Sequence, residues 1–178
     1  MKLYVIRHGE TPSNISGIVS GRSDEDLTKK GIAECQELNL KLGSTKFDAV
    51  YVSPVKRTIK TAEIVVPEYR YIIDSRISER ELGTLKGYTI DELWQMPYWN
   101  STISMRTPEG AETFGSGLYR VQSFLADLKT QYPNDASILL VTHSFISRCI
   151  WAITNNITEE KEYRNFSHKN NIIKIYHI

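Results

Sequence analysis

Residues 2–11 read Lys2-Leu3-Tyr4-Val5-Ile6-Arg7-His8-Gly9-Glu10-Thr11. The run from Leu3 to Ile6 is short, rich in β-branched and aromatic residues and lacks polar alternation, which is the signature of a strand buried on both faces. It stops at Arg7-His8-Gly9, so a cation and an imidazole fall at a strand's carboxyl end. A second run, Ser137 to Thr142, is more apolar still and stops in the same way, at His143. A strand buried on both faces requires helices above and below it, and the chain between the two runs supplies them.

Thr28 is placed to cap a helix whose spacing is kept by Cys35, Leu38 and Leu42, with Gly43 at its end. Asp48 to Val52 reads as the next strand. Ile59, Ala62 and Val66 then mark a helix stopped by Pro67, and Tyr71 to Ile73 a further short strand. Phe114, Leu118, Val121, Leu125, Leu128 and Tyr132 hold one helical face for five turns before Pro133-Asn134-Asp135 turns the chain into the strand that ends at His143. A helix around Phe145, Ile146, Cys149, Ile150 and Ile153 follows, and Ile172 to Tyr176 reads as the last strand. This alternation predicts an α/β fold with a mostly parallel sheet covered on both faces. In such open sheets ligands bind beyond the carboxyl ends of the strands, where His8, the Ser53–Arg57 turn and His143 all fall.

The chain has 178 residues, enough for one domain with an enzyme-sized core, and no linker or internal repeat divides it. Twenty-two Lys and Arg against 21 Asp and Glu leave a net charge of +1, which offers no global field for nucleic acid or an anionic membrane. No run suits a signal peptide or a membrane span. The two cysteines, Cys35 and Cys149, sit within helical patterns and read as buried thiols, so a cytoplasmic location is expected.

Arg7 and His8 together suit phosphoryl chemistry. A neutral imidazole is a competent nucleophile toward phosphorus, and neighbouring guanidinium groups would hold phosphate oxygens while keeping the ring unprotonated. A histidine that merely ends a strand is the bland alternative. Gly9 would let a ligand approach the backbone. Arg57 lies just inside a helix N-terminus, where a cation is electrostatically misplaced unless an anion is nearby. His143, ending an apolar strand, must find a polar partner at that edge. His168 and His177 have no such context and read as surface or core residues. Arginines crowding His8 and His143 argue against a metal site, and neither a P-loop nor a dinucleotide-binding turn is present, so no metal and no cofactor are expected.

Arg7-His8-Gly9-Glu10-Thr11, Asn14, Ser53-Pro54 with Arg57 and Thr61-Ala62, Glu79 and Val141-Thr142-His143 together resemble, in that order, the histidine phosphatase (phosphoglycerate mutase-like) superfamily. The match spans nearly the whole chain. The resemblance implies a three-layer α/β/α sandwich over residues 1–178, His8 as phosphoryl acceptor, and Arg7, Arg57, His143, Asn14 and backbone amides near Gly21 as the phosphate pocket. The segment Arg76 to Gly87 looks like the family's acidic stretch, with Glu79 as proton donor and Glu81 as its rival. Two departures stand out. Ser144 and Phe145 follow His143 where glycines are frequent, so Phe145 should narrow the site, and Leu85 stands where an aromatic is frequent.

Residues 88–115 are expected to form a cap that selects the substrate. Thr89 and Glu92 make a capping box for a short helix, and Trp94, Tyr98 or Trp99 either contacts the substrate or packs the cap. The expected activity is a metal-independent phosphatase acting on a small phosphorylated metabolite. Its alternative is a phosphoglycerate mutase using the same phosphohistidine. Sugar phosphates, phosphorylated glycolytic acids and α-ribazole phosphate are all candidate substrates. No heptad pattern specifies a homodimer, although an edge strand or the cap could form one.

Overall fold

The computed structural model of the chain describes residues 1–96 and 110–178. Strands β1 (Lys2–Arg7), β2 (Ala49–Val52), β3 (Ile72–Ile73), β4 (Ser137–Thr142) and β5 (Ile173–His177) form a sheet in the order β3-β2-β4-β1-β5. The first four run parallel, and β5 lies antiparallel to β1 at one edge. The helices are α1 (Pro12–Ser16), α2 (Lys29–Leu42), α3 (Lys56–Val65), α4 (Ile90–Trp94), α5 (Phe114–Gln131) and α6 (Ser144–Thr154).

Side-chain alternation along the strands sorts these helices into two layers. Leu3, Val5, Ile138 and Leu140 pack with Phe124, Leu128, Ile146 and Ile150 of α5 and α6, whereas Ile6, Leu139 and Val141 pack with Cys35, Leu38, Ala62 and Val65 of α2 and α3. Residues 138–142 are all buried. Burying a Leu or Ile is worth about 1.5–3 kcal/mol, so Leu139 and Leu140 of the central strand each anchor one layer. The result is a three-layer α/β/α arrangement, as the resemblance implied.

Thr28 caps α2 by accepting from Gly31 N at 2.9 Å, and Gly43 ends it with φ +53°. Thr113 does the same for α5, accepting from Ser116 N at 2.9 Å. The Thr89–Glu92 capping box forms at α4. Asp48, Tyr71 and Ile172 fall just outside their strands. The sequence gives no periodic signal for α1, which buries none of its residues, nor for the short 3-10 turns at Ser75–Ile77, Gly83–Leu85 and Glu160–Asn165. Of the expected cap, α4 packs through Leu93 on Leu82 and the buried Leu85. The bridges Ile18–Thr89 and Leu82–Ala111 tie its flanks to the body. Tyr98 and Trp99 lie outside the described residues.

Candidate active site

The pairing of β1 with β4 sets the centre of the site. Arg7 stands opposite Thr142, so the residues that follow, His8 and His143, leave the sheet side by side, with ring centroids 5.3 Å apart. His8 N donates to Thr142 O at 3.0 Å, fixing that exit. Both rings are almost fully buried, at 3% and 0% exposure.

The hydrogen bonds assign the tautomers. His8 Nδ1 lies 2.8 Å from Gly9 O, and a carbonyl only accepts, so Nδ1 carries the proton and Nε2 keeps its lone pair. Burial pushes the His8 pKa well below 6.5, helped by the charges of Arg57 and Arg7. The ring is therefore neutral. His143 Nδ1 faces Arg57 Nη2 at 3.2 Å, and a guanidinium only donates, so the proton sits on Nε2 and is given to Ser53 Oγ at 2.7 Å. Burial holds His143 neutral as well, so its 3.8 Å approach to Glu79 Oε2 is not an ion pair. A hydrogen bond donated from His143 Nδ1 to a phosphoryl oxygen, in the phosphate pocket that the resemblance implies, thus requires the opposite tautomer, which the Ser53 hydroxyl can support by donating instead.

Arg57 is 1% exposed, on the first turn of α3. Nη2 donates to Gly21 O at 2.6 Å and Nη1 to Ser23 O at 3.1 Å. Arg7 Nη1 donates to His168 O at 3.2 Å. Backbone carbonyls therefore orient both guanidiniums, while their Nε atoms have no hydrogen-bond partner among the described residues. Burial lowers the pKa of each, and Glu79 pulls both back up. Gly21 lines the cavity with φ +53°, and it is its carbonyl that acts here, on Arg57.

A cavity of about 410 Å³ opens at this sheet edge, and Arg7, His8, Asn14, Gly21, Arg57 and Glu79 all line it. Asn14 Oδ1 accepts from Thr11 N at 3.3 Å, which turns its amide nitrogen away from that contact. Glu79 Oε1 accepts from Arg80 N at 2.8 Å. Glu81 instead accepts from Leu82 N at 3.1 Å, reaches Arg22 at 3.9 Å and does not line the cavity. Of the two carboxylates, only Glu79 is in place.

Two expectations change. Gly9 does not open the backbone to a ligand: a Cβ there would sit 2.5 Å from Gly31 O and 2.8 Å from Cys35 Sγ, so its small size seats the loop on α2. His168, read as having no context, is buried, presents its carbonyl to Arg7 and places Nδ1 2.6 Å from Ser147 Oγ. Phe145 does line the cavity, as expected. A Cβ on Gly117 would meet its ring at 2.3 Å, so the glycine missing after His143 is compensated by one on α5.

Sequence reading also passed over Arg148 and Asn170, which line the cavity, and the contact of Ser53 with His143. Asn170 Nδ2 donates to His8 O. Arg148 was detectable: it follows Ser144 by four residues on a helix that starts at the site.

The family model described as the histidine phosphatase superfamily (branch 1) matches residues 3–178. The chain belongs to the histidine phosphatase superfamily. Among curated members it is 27% identical over 172 residues to a 2,3-bisphosphoglycerate-dependent phosphoglycerate mutase of Bartonella bacilliformis, covering 89% of this chain and 84% of that one. Among solved members, the phosphoserine phosphatase of Entamoeba histolytica in complex with 3-phosphoglyceric acid superposes with a TM-score of 0.83 at 26% identity. The α-ribazole phosphatase of Shigella flexneri does so with a TM-score of 0.82, also at 26% identity. Each superposition covers 98% of this chain and 89% of the other.

Proposed function

We propose that the protein is a phosphatase that hydrolyses a small phosphorylated metabolite through a phosphohistidine on His8. The observation that carries this reading is the Nδ1–Gly9 O bond, which leaves a neutral Nε2 lone pair beside two buried guanidiniums. In the first half-reaction Nε2 forms a bond to phosphorus as the phosphorus–oxygen ester bond breaks. Glu79 gives its proton to the departing oxygen. In the second half-reaction Glu79 takes a proton from water, the water oxygen bonds to phosphorus, and the nitrogen–phosphorus bond breaks to restore neutral His8. Arg7, Arg57 and Asn14 hold the phosphoryl oxygens, and the positive charge of the two arginines stabilises the transition state. No step calls for a metal or a cofactor.

The cavity volume suits a metabolite rather than a protein segment. Only 63 residues separate Glu79 from His143, which leaves little chain to shut water out as a mutase must. The solved phosphatases above support hydrolysis. The mutase named above favours a second reading, phosphoglycerate isomerisation on the same phosphohistidine. A cytoplasmic setting belongs to this proposal and rests on the buried, unpaired thiols of Cys35 and Cys149.

The deciding experiment measures phosphate release from a panel of phosphorylated metabolites with a chelator present, alongside 3-phosphoglycerate interconversion with and without a bisphosphate primer. Chelator-resistant release that His8→Ala abolishes, together with acid-labile phosphate on the protein, is the expected result. Primer-dependent interconversion without release would replace the phosphatase by the mutase, and near-normal activity in His8→Ala would end both readings.

A further inference from the structure

Arg22 sits in the loop that orients Arg57, between Gly21 and Ser23, whose carbonyls accept from that guanidinium at 2.6 and 3.1 Å. Its own side chain reaches across to the acid-bearing segment. Nε donates to Glu79 O at 2.9 Å, while Glu81 Oε2 lies 3.9 Å from Nε and Glu112 Oε2 lies 3.8 Å from Nη2. Two carboxylates are thus within ion-pair range, yet the hydrogen bond goes to a carbonyl. An exposed arginine kept only for its charge would place its nitrogens on a carboxylate, where the bond is shorter and stronger. Arg22 is not among the described residues that line the cavity. It is therefore not placed to touch a substrate, and what it acts on is the peptide of Glu79. Glu79 Oε1 accepts from Arg80 N at 2.8 Å, so the carboxylate follows that peptide wherever it is held.

The chain just after Glu79 is held from α5. Glu112 N donates to Glu81 O at 2.9 Å and Arg80 Nε donates to Glu112 O at 2.8 Å, while Arg120 of α5 grips the Glu112 carboxylate through Nε at 2.6 Å and Nη2 at 2.9 Å. These bonds fix residues 80 and 81 to α5, and the bond from Arg22 fixes residue 79 to the loop that Arg57 orders. We infer that Arg22 is a positioning residue for Glu79, setting the distance between the proton donor and the phosphoryl group held by Arg57. This rests on the reading of the cavity as the phosphoryl-transfer site with Glu79 as its acid. A general acid works only within hydrogen-bond reach of the leaving oxygen, and a displacement of about 1 Å can cost on the order of 100-fold in rate. Arg57 stands on α3 and Glu79 beyond the Ser75–Ile77 turn, so no shared element keeps the two in step. The path from Arg57 through the Gly21–Ser23 loop and Arg22 to Glu79 supplies that link, in hydrogen bonds of 2.6 to 3.1 Å.

The test measures kcat/KM, which covers only the steps through phosphoryl transfer to His8, on p-nitrophenyl phosphate and on the alkyl phosphate that the protein hydrolyses best. It compares the wild type, Arg22→Met, Glu79→Gln and the double variant. Arg22→Met should lose about 10-fold on the alkyl phosphate, whose leaving oxygen must be protonated, and less than about 2-fold on p-nitrophenyl phosphate. A merely structural arginine would lower both alike, and the ratio of the two substrates cancels any loss of folded enzyme. In the Glu79→Gln background Arg22→Met should cost less than about 2-fold on either substrate, because no proton is left to place. Equal losses on the two substrates in Arg22→Met, or a further 10-fold loss (~10-fold on the alkyl phosphate) on top of Glu79→Gln, would overturn the inference and leave Glu79 as the acid. Equal losses in Glu79→Gln would remove the acid role and this inference with it, as would a wild-type protein that hydrolyses neither substrate.

Discussion

Lowering the pH from 7.5 to 5.5 should cost this protein about 4 kcal/mol of folding stability, through three buried imidazoles alone. His8, His143 and His168 are each 3% exposed or less, and burial lowers the pKa of all three, that of His168 to about 4. In the unfolded chain each titrates near 6.5, so at pH 5.5 the unfolded state binds protons that the folded state refuses. A depressed native pKa stabilises the fold fully above 6.5, and that contribution drains away as the pH falls toward the native values. One unit below 6.5 the loss is about 1.4 kcal/mol per imidazole, for as long as the native ring stays neutral. Against a typical total of about 5–15 kcal/mol the loss is large. Urea unfolding at the two pH values should show the midpoint falling by roughly 1.5–2 M, for a slope near 2–3 kcal/mol/M. His168→Gln should recover about a third of that pH-dependent loss. A midpoint shift under 0.5 M, or an undiminished shift in His168→Gln, would refute the assignment of neutral buried rings.

Glu79→Gln should slow turnover by about 10²- to 10⁴-fold on alkyl phosphates and far less on p-nitrophenyl phosphate, whose leaving group needs no proton; equal losses on both would take the acid role away from Glu79. Ser53→Ala leaves His143 Nε2–H without its acceptor, and kcat/KM should drop at least about 10-fold, with Ser53→Thr restoring part of it if the hydroxyl is what matters. Gly117→Ala drives a methyl into the Phe145 ring and should lower stability by about 1–3 kcal/mol, and Phe145→Leu in the same chain should rescue it. Additive effects of those two changes in chemical denaturation would show that the contact does not matter.

Much of this was readable from the chain. β4 was bounded correctly because Ser137–Thr142 is a continuous apolar run between a proline turn and a histidine, two signals that agree. The caps at Thr28 and Thr89 were legible because a hydroxyl three residues before a helical amide is a local chemical fact. What stayed hidden depends on contacts distant in sequence. That Gly9 faces α2 rather than a ligand, that the His168 carbonyl reaches Arg7, and that Gly117 yields to Phe145 are all products of the sheet order, which no local pattern encodes. The tautomer of His143 was closed for the same reason, since it takes Ser53 and Arg57 together to assign it.

The strand order also governs how the protein comes into being. β1 lies between β4 and β5, so both of its hydrogen-bonding edges are filled by strands made late in synthesis. During translation the segment that carries His8 therefore waits as an unpaired apolar strand, and only the arrival of Ser137–Thr142 gives it a neighbour. Pairings this distant in sequence make for slow closure and a period of exposed strand edge. The two histidines of the site are thus brought together late in folding, and a nascent chain stalled before β4 would hold His8 without the Thr142 carbonyl that fixes its exit from the sheet and without His143 beside it.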